Sequence, residues 1–215
     1  MKINLPDYSD EQIAKRTADF CEFINKRRTV REFSNRQVPR EAIENILMSA
    51  SSAPSGANRQ PWFFAAVSSD CVKQKIRDAA EIVERDFYEK NAPQDWLDAL
   101  SELKTNWQKP FLTQAPWLIV AFLERYEISP TGEKIKNYYP TESVGLALGT
   151  LLCAVHNAGL ATLTYTPSPA KFLSEILEMP ENYRPIMVLP VGHPASDYQA
   201  PDISRKDVSQ IAKFW

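Results

Sequence analysis

Lys26-Arg27-Arg28-Thr29-Val30-Arg31-Glu32-Phe33 gathers three guanidiniums and a hydroxyl within five residues, where a predicted helix over residues 10–26 ends. In that helix Asp10 can serve as cap, and Ile13, Phe20, Phe23 and Ile24 form an apolar stripe. Such a run can hold a phosphate bidentately and keep a donor for a second acceptor. It also suits a solvated helix C-terminus whose cations complement the dipole. Arg31 stands between Val30 and a turn containing Phe33, which aims it away from the helical face.

Outward from that run, helical and extended patterns alternate without repeats. Pro39 opens a second helix with Ile43, Ile46, Leu47 and Ala50 on one face. A turn-rich stretch over 51–61 leads into a buried strand over 62–67. Helices are predicted over 70–89 and 95–107, broken at Pro93. A strand over 116–123, a polar loop over 127–136 and a helix over 141–158 follow. That helix is apolar nearly all round, which marks it as central or as a subunit contact. A strand over 161–165, a short helix over 171–178 and a strand over 185–191 complete an α+β pattern. The last twenty or so residues read as an arm lying on something else.

Composition excludes several functions. Of 215 residues, 16 are Pro and only 6 are Gly, the reverse of the average order. Gly56, Gly132, Gly145, Gly149, Gly159 and Gly192 form neither G-x-G-x-x-G nor G-x-x-x-x-G-K-[ST], so a bound phosphate must rest on side chains. The net charge of -2 gives no nucleic-acid footprint and no attraction to anionic lipid. Cys21, Cys71 and Cys153 are odd in number and form no C-x-x-C, which favours a reducing, cytoplasmic setting over metal binding or disulfides. No signal peptide and no 18-residue apolar run is present, so a soluble protein without membrane partners is expected.

Two further groupings could carry chemistry. In Ala53-Pro54-Ser55-Gly56-Ala57-Asn58, small residues would let the backbone approach a flat ligand, although a plain tight turn fits as well. Glu84 and Tyr88 are four apart on one helical face, with Lys109 beyond Pro93. A carboxylate, a phenol and an ammonium there could grip a zwitterion, or simply form a solvated face. His156 and His193 lack partners in any catalytic arrangement and read as structural.

These groupings occur together in one family. Arg27 to Arg31 with Phe33 resembles the opening signature of the FMN-dependent nitroreductase superfamily. Ala53 to Ala57, Pro61-Trp62, Leu103-Lys104-Thr105-Asn106-Trp107, Ala115-Pro116, Asn157-Ala158-Gly159-Leu160 and Pro190-Val191-Gly192 resemble its iodotyrosine deiodinase branch. The resemblance implies one α+β domain over 1–215, a three-layer α/β/α sandwich with a mostly antiparallel central sheet. It further implies an intertwined homodimer, a helical lid at about 84–109 and a C-terminal arm at about 195–215. An FMN would occupy each of two interfacial sites built from both chains. Arg27, Arg28, Thr29, Val30, Arg31 and Arg205 match residues around its phosphate and ring, with Thr29 where serine is usual. Pro54, Ser55 and Gly56 match a flavin-contacting loop, and Thr164, Tyr165 and Thr166 a flavin-binding strand end.

On the substrate side, Glu84, Tyr88 and Lys109 match the trio that grips the ammonium and carboxylate of iodotyrosine. Ala57 matches the residue whose N–H meets the phenolate, and Thr166 the hydroxyl beside flavin N5, which makes these two the catalytic candidates. Asn58 stands where many members have histidine. The implied activity is reductive dehalogenation of 3-iodotyrosine, 3,5-diiodotyrosine and bromo- or chlorotyrosine, with a separate reductase or NAD(P)H as electron source and no metal. A general NAD(P)H-dependent nitroreductase and a non-catalytic flavin or halotyrosine-binding protein remain open alternatives.

Overall fold

Trp117–Glu124 forms β2, the strand around which the other elements are arranged. Its interior is an unbroken apolar run, and Leu118 to Phe122 are fully buried. Both of its faces must therefore be covered. A computed structural model, which describes residues 2–103 and 105–215, covers them with two helical layers. The sheet has the order β1 (Trp62–Val67), β2, β6 (Tyr183–Gly192) and β5 (Ala161–Thr162). Every pairing among the four is antiparallel.

Side chains alternate across a strand, and β2 divides its own between two cores. Leu118, Val120 and Phe122 pack with Ile76 and Ala80 of α3 (Asp70–Asp86), Phe111 and Leu112 of α5 (Phe111–Gln114) and Leu173 of α7 (Lys171–Ile176). Ile119, Ala121 and Leu123 pack with Ile43, Ile46 and Ala50 of α2 (Arg40–Ser51) and with Val144, Leu148, Leu151 and Val155 of α6 (Pro140–Asn157). The result is the α/β/α layering expected from the sequence. Leu146 of α6, by contrast, is 53 % exposed, so an apolar side of that helix faces away from its own core.

Several boundaries differ from expectation. α1 (Asp10–Asn25) is capped by Ser9, whose hydroxyl accepts from Gln12 N–H while the Gln12 side chain accepts from Ser9 N–H. Asp10 instead sits in the first turn, where its charge still favours the dipole. Pro39 is the N-cap of α2 and not its first helical residue. The helix predicted over 70–89 gives way after Asp86 to a π-helical turn, Phe87–Asn91. The one predicted over 95–107 is α4 (Gln94–Glu102), and Lys104 of that stretch lies outside the described residues.

The polar loop expected over 127–136 is a hairpin, β3 (Tyr126–Ile128) against β4 (Lys134–Lys136). Ser129 and Glu133 close it, and Gly132 takes a left-handed φ of 85°. Neither strand buries a face, which is why no alternation of apolar residues announces it. The strand predicted to Tyr165 ends as β5 at Thr162, and Tyr165 pairs separately with Val188 of β6. The arm carries one turn of helix, α8 (Val208–Ile211), with Asp207 and Gln210 as its capping box. All three cysteines are free thiols, and among the described residues no helix is long and apolar enough to cross a membrane.

Leu151→Ala leaves a hole between α6 and the sheet. It is expected to lower unfolding stability by about 2–5 kcal/mol, read from the denaturant midpoint at unchanged slope.

Candidate active site

The cationic run leaves α1 and lies along the sheet. Val30 N–H donates to Thr162 O at 3.2 Å, and Ser34 N–H to His193 O at 3.0 Å. Val30 and Phe33 turn into the core and fix the run in place, so the Val30 side chain is structural. Arg27, Arg28, Thr29 and Arg31 are left beside the returning C-terminal arm. With Pro201, Ile203 and Arg205 they line a cavity of about 190 Å³. Arg205 donates to Asn25 O at 3.0 Å and Arg27 O at 2.9 Å, satisfying carbonyls that the end of α1 leaves unpaired. Arg28 donates to Pro201 O, and Tyr198 Oη to Thr29 O at 3.0 Å.

The charges in this cavity are uncompensated. Among the described residues, no carboxylate forms an ion pair with Arg27, Arg28, Arg31 or Arg205. Burial pushes the Arg27 pKa down, and the neighbouring Arg205 and Arg28 push it the same way. A cluster of guanidiniums held together against their own repulsion has the chemistry to take a multiply charged anion.

Arg31 also lines a second cavity, of about 200 Å³, and there the predicted trio meets. Glu84 comes from the last turn of α3, Tyr88 from the π-helical turn and Lys109 from the approach to α5. Lys109 is 3 % exposed. Its Nζ lies 2.9 Å from Glu84 Oε2, also donates to Asn106 O, and stands 5.1 Å from the centre of the Tyr88 ring. Burial lowers the Lys109 pKa, and Glu84 opposes that shift. Burial raises the Tyr88 pKa. The extra residue of a π turn re-aims side chains and recurs at functional sites; here it delivers Tyr88 to the pair.

The floor of this cavity is the segment Thr164-Tyr165-Thr166. Tyr165 exchanges two backbone hydrogen bonds with Val188, at 2.9 and 2.8 Å, and is buried, while Thr164 and Thr166 are exposed on either side. Burial, and next the charge of Glu84, drive the Tyr165 pKa upward, so this phenol stays neutral. Sequence reasoning did not single out Trp96 and Leu100, which wall the cavity from α4. Their spacing of four was the available signal; in the structure Trp96 meets Phe87 edge to face, with ring centres 5.0 Å apart.

The loop with Pro54, Ser55, Gly56 and Ala57 lines neither cavity. It docks on the start of α6, where Gly56 N–H donates to Ser143 Oγ at 3.4 Å. A Cβ at Gly56 would lie 2.5 Å from Tyr138 O, so this glycine answers to the chain's own backbone. Ala57, Asn58 and Gln60 have φ of 49°, 53° and 48°, a conformation that costs a side-chain-bearing residue of order 1 kcal/mol. Ala57 is exposed, and among the described residues its N–H has no acceptor. Arg59, paired with Glu127 of β3 at 3.1 Å, fastens the loop to the hairpin.

A family model described as the nitroreductase family matches residues 24–193. An iodotyrosine deiodinase of Haliscomenobacter hydrossis is 50% identical over 204 residues, spanning 95% of this chain and 92% of its own. Iodotyrosine deiodinase 1 of Homo sapiens is 42% identical over 95% of this chain and 71% of its own. A crystal structure of oxidized iodotyrosine deiodinase bound to FMN and 3-iodo-L-tyrosine superposes with a TM-score of 0.77 at 33% identity, over 90% of this chain and 99% of that one.

Gly56→Ala is expected to lower the thermal midpoint by an amount equivalent to about 1–3 kcal/mol, because the atom it meets is backbone. An unchanged midpoint would contradict the docking of this loop on Tyr138.

Proposed function

The chain belongs to the nitroreductase family, in its iodotyrosine deiodinase branch, and on that premise we propose that it reductively dehalogenates halotyrosines with the help of FMN. The substrates are 3-iodotyrosine and 3,5-diiodotyrosine, with bromo- and chlorotyrosine as further candidates, and the products are tyrosine and halide. The observation that carries this reading is the buried Glu84–Lys109 pair beside Tyr88, in the cavity floored by Thr164 and Thr166. One acid and one base, both withdrawn from water and set against aromatic side chains, match the two ends of an aromatic amino acid.

The residues present fit FMN. The uncompensated guanidiniums of Arg27, Arg28, Arg31 and Arg205, with the Thr29 hydroxyl, suit its phosphate. Thr164, Tyr165 and Thr166, which floor the adjoining cavity, would hold its ring. When bound and reduced, FMN would supply the two electrons that, with one proton, exchange a carbon–halogen bond for carbon–hydrogen and release halide.

The chain's own side chains bind, orient and exclude water. Glu84 takes the substrate ammonium and Lys109 the carboxylate, parting from each other as they do so. Tyr88 packs beside them. The free Ala57 N–H donates to the phenol oxygen and favours its ionised form. Thr166, at the floor of the cavity, would offer its hydroxyl to the flavin at N5. Closure of the segment 84–109 as a lid shields the zwitterion.

Pro54, Ser55, Gly56 and Ala57 come to this site from a second copy in an intertwined homodimer. Support for that comes from their place outside their own chain's cavities and from the exposed apolar face of α6. A separate reductase or NAD(P)H supplies electrons, and the three free thiols suit the cytoplasm.

The test is iodide release from 3-iodotyrosine by the purified flavoprotein reduced with dithionite. Quenching of flavin fluorescence without iodide release would make it a binding protein. Nitroaromatic turnover without halotyrosine affinity would make it a general nitroreductase. Glu84→Gln and Lys109→Ala are each expected to weaken halotyrosine binding about 100-fold, or ~3 kcal/mol, at unchanged FMN content.

Lys109 must be cationic to hold a carboxylate, and its pKa is lowered. Halotyrosine affinity therefore falls as pH rises, beginning below the range of an ordinary lysine. Lys109→Arg keeps its charge and is expected to move that limb to higher pH in a fluorescence titration.

A further inference from the structure

One face of α3 carries Lys73, Arg77, Glu81 and Glu84, spaced by four, four and three. Each reaches α5 or the residue leading into it. Lys73 Nζ donates to Ala115 O at 3.0 Å and to Thr113 O at 3.4 Å, and pairs with Asp70 at 3.0 Å. One turn on, Arg77 donates to Thr113 Oγ1 at 3.0 Å and to Glu81 Oε1 at 2.7 Å. That same carboxylate oxygen accepts the Lys109 backbone N–H at 2.8 Å. Glu84 then meets Lys109 Nζ.

A helix of four residues does not hold itself in water. α5 is instead braced end to end, by an acid at its N-terminal approach and a base at its C-terminus, the signs its end groups favour. Glu81 does not line the cavity, so nothing about it serves the substrate directly. Its side chain is nonetheless 19 % exposed, with two donors on a single oxygen.

We propose that Glu81, held by Arg77, which Thr113 steadies in turn, is the positioning residue that keeps the Lys109 main chain in place while the Lys109 ammonium changes partner. This rests on the reading of Glu84 and Lys109 as the grip on a zwitterion. When a substrate ammonium takes Glu84, Lys109 loses the contact that ties its tip to α3. The Glu81 bond to its backbone is the tie to α3 that remains, and it keeps the long side chain aimed at the carboxylate instead of letting residues 105–110 swing outward.

The test compares Glu81→Ala, Glu81→Gln and Thr113→Val with the wild type in two measurements. In the ligand-free protein, amide exchange of residues 109–115 is expected to speed up about tenfold in Glu81→Ala. Glu81→Gln, which retains an acceptor, restores most of the protection, and Thr113→Val shows a smaller loss. In fluorescence titrations Glu81→Ala weakens 3-iodotyrosine about tenfold but leaves 2-iodophenol, which has the ring without the zwitterion, unchanged. Equal weakening of both ligands, or unchanged exchange, overturns the proposal. If the wild type itself does not bind 3-iodotyrosine, the functional reading fails, and amide exchange alone then decides for or against the brace.

Discussion

Burial of β2 on both faces constrains everything else in this molecule. Seven consecutive apolar residues, Trp117 to Leu123, demand a helical layer on each side, and the side chains of 118–123 assign each layer its partners by parity. α3 is drawn to the sheet by Ile76 and Ala80. The stripe of Lys73, Arg77, Glu81 and Glu84 is turned toward α5 and Lys109. This row of charges is thus not added to the core. It occupies the polar side of a helix whose apolar side the core requires.

The two cavities that meet at Arg31 are electrostatic opposites. In one, like charges are crowded with nothing to neutralise them, so an anion relieves a tension already present. In the other, acid and base already satisfy each other at 2.9 Å, and a ligand must replace a contact of equal quality. The first arrangement suits a resident group held throughout, and the second a visitor that has to leave again.

Much of this was legible in the sequence, for reasons that differ from place to place. β1 and β2 were visible because continuous burial writes continuous apolar runs. α6 was visible because it is apolar nearly all round. Arg27 to Arg31 and the Glu84, Tyr88 and Lys109 trio were legible as charge in unusual company, although only the resemblance joined them. The hairpin of β3 and β4 was hidden because its strands bury nothing. The π turn at Phe87–Asn91 was hidden because its residues, FYEKN, suit an ordinary helix equally well. Glu81 and Arg77 were hidden because at i and i+4 they read as a routine surface pair. Their third and fourth partners, Thr113 and the Lys109 N–H, lie about thirty residues away.

The self-satisfied pair also shapes what the cavity refuses. A ligand with an ammonium alone would occupy Glu84 and strand a buried lysine, while one with a carboxylate alone would strand a buried glutamate. Either outcome leaves a charge without water or partner, at a cost of several kcal/mol. Half a match is therefore worse than none, and the pocket works as a conjunction, answering only when both ends of an amino acid arrive together. A halogenated phenol that shares the ring but not the backbone would leave Glu84 and Lys109 paired, and would be held by its ring alone.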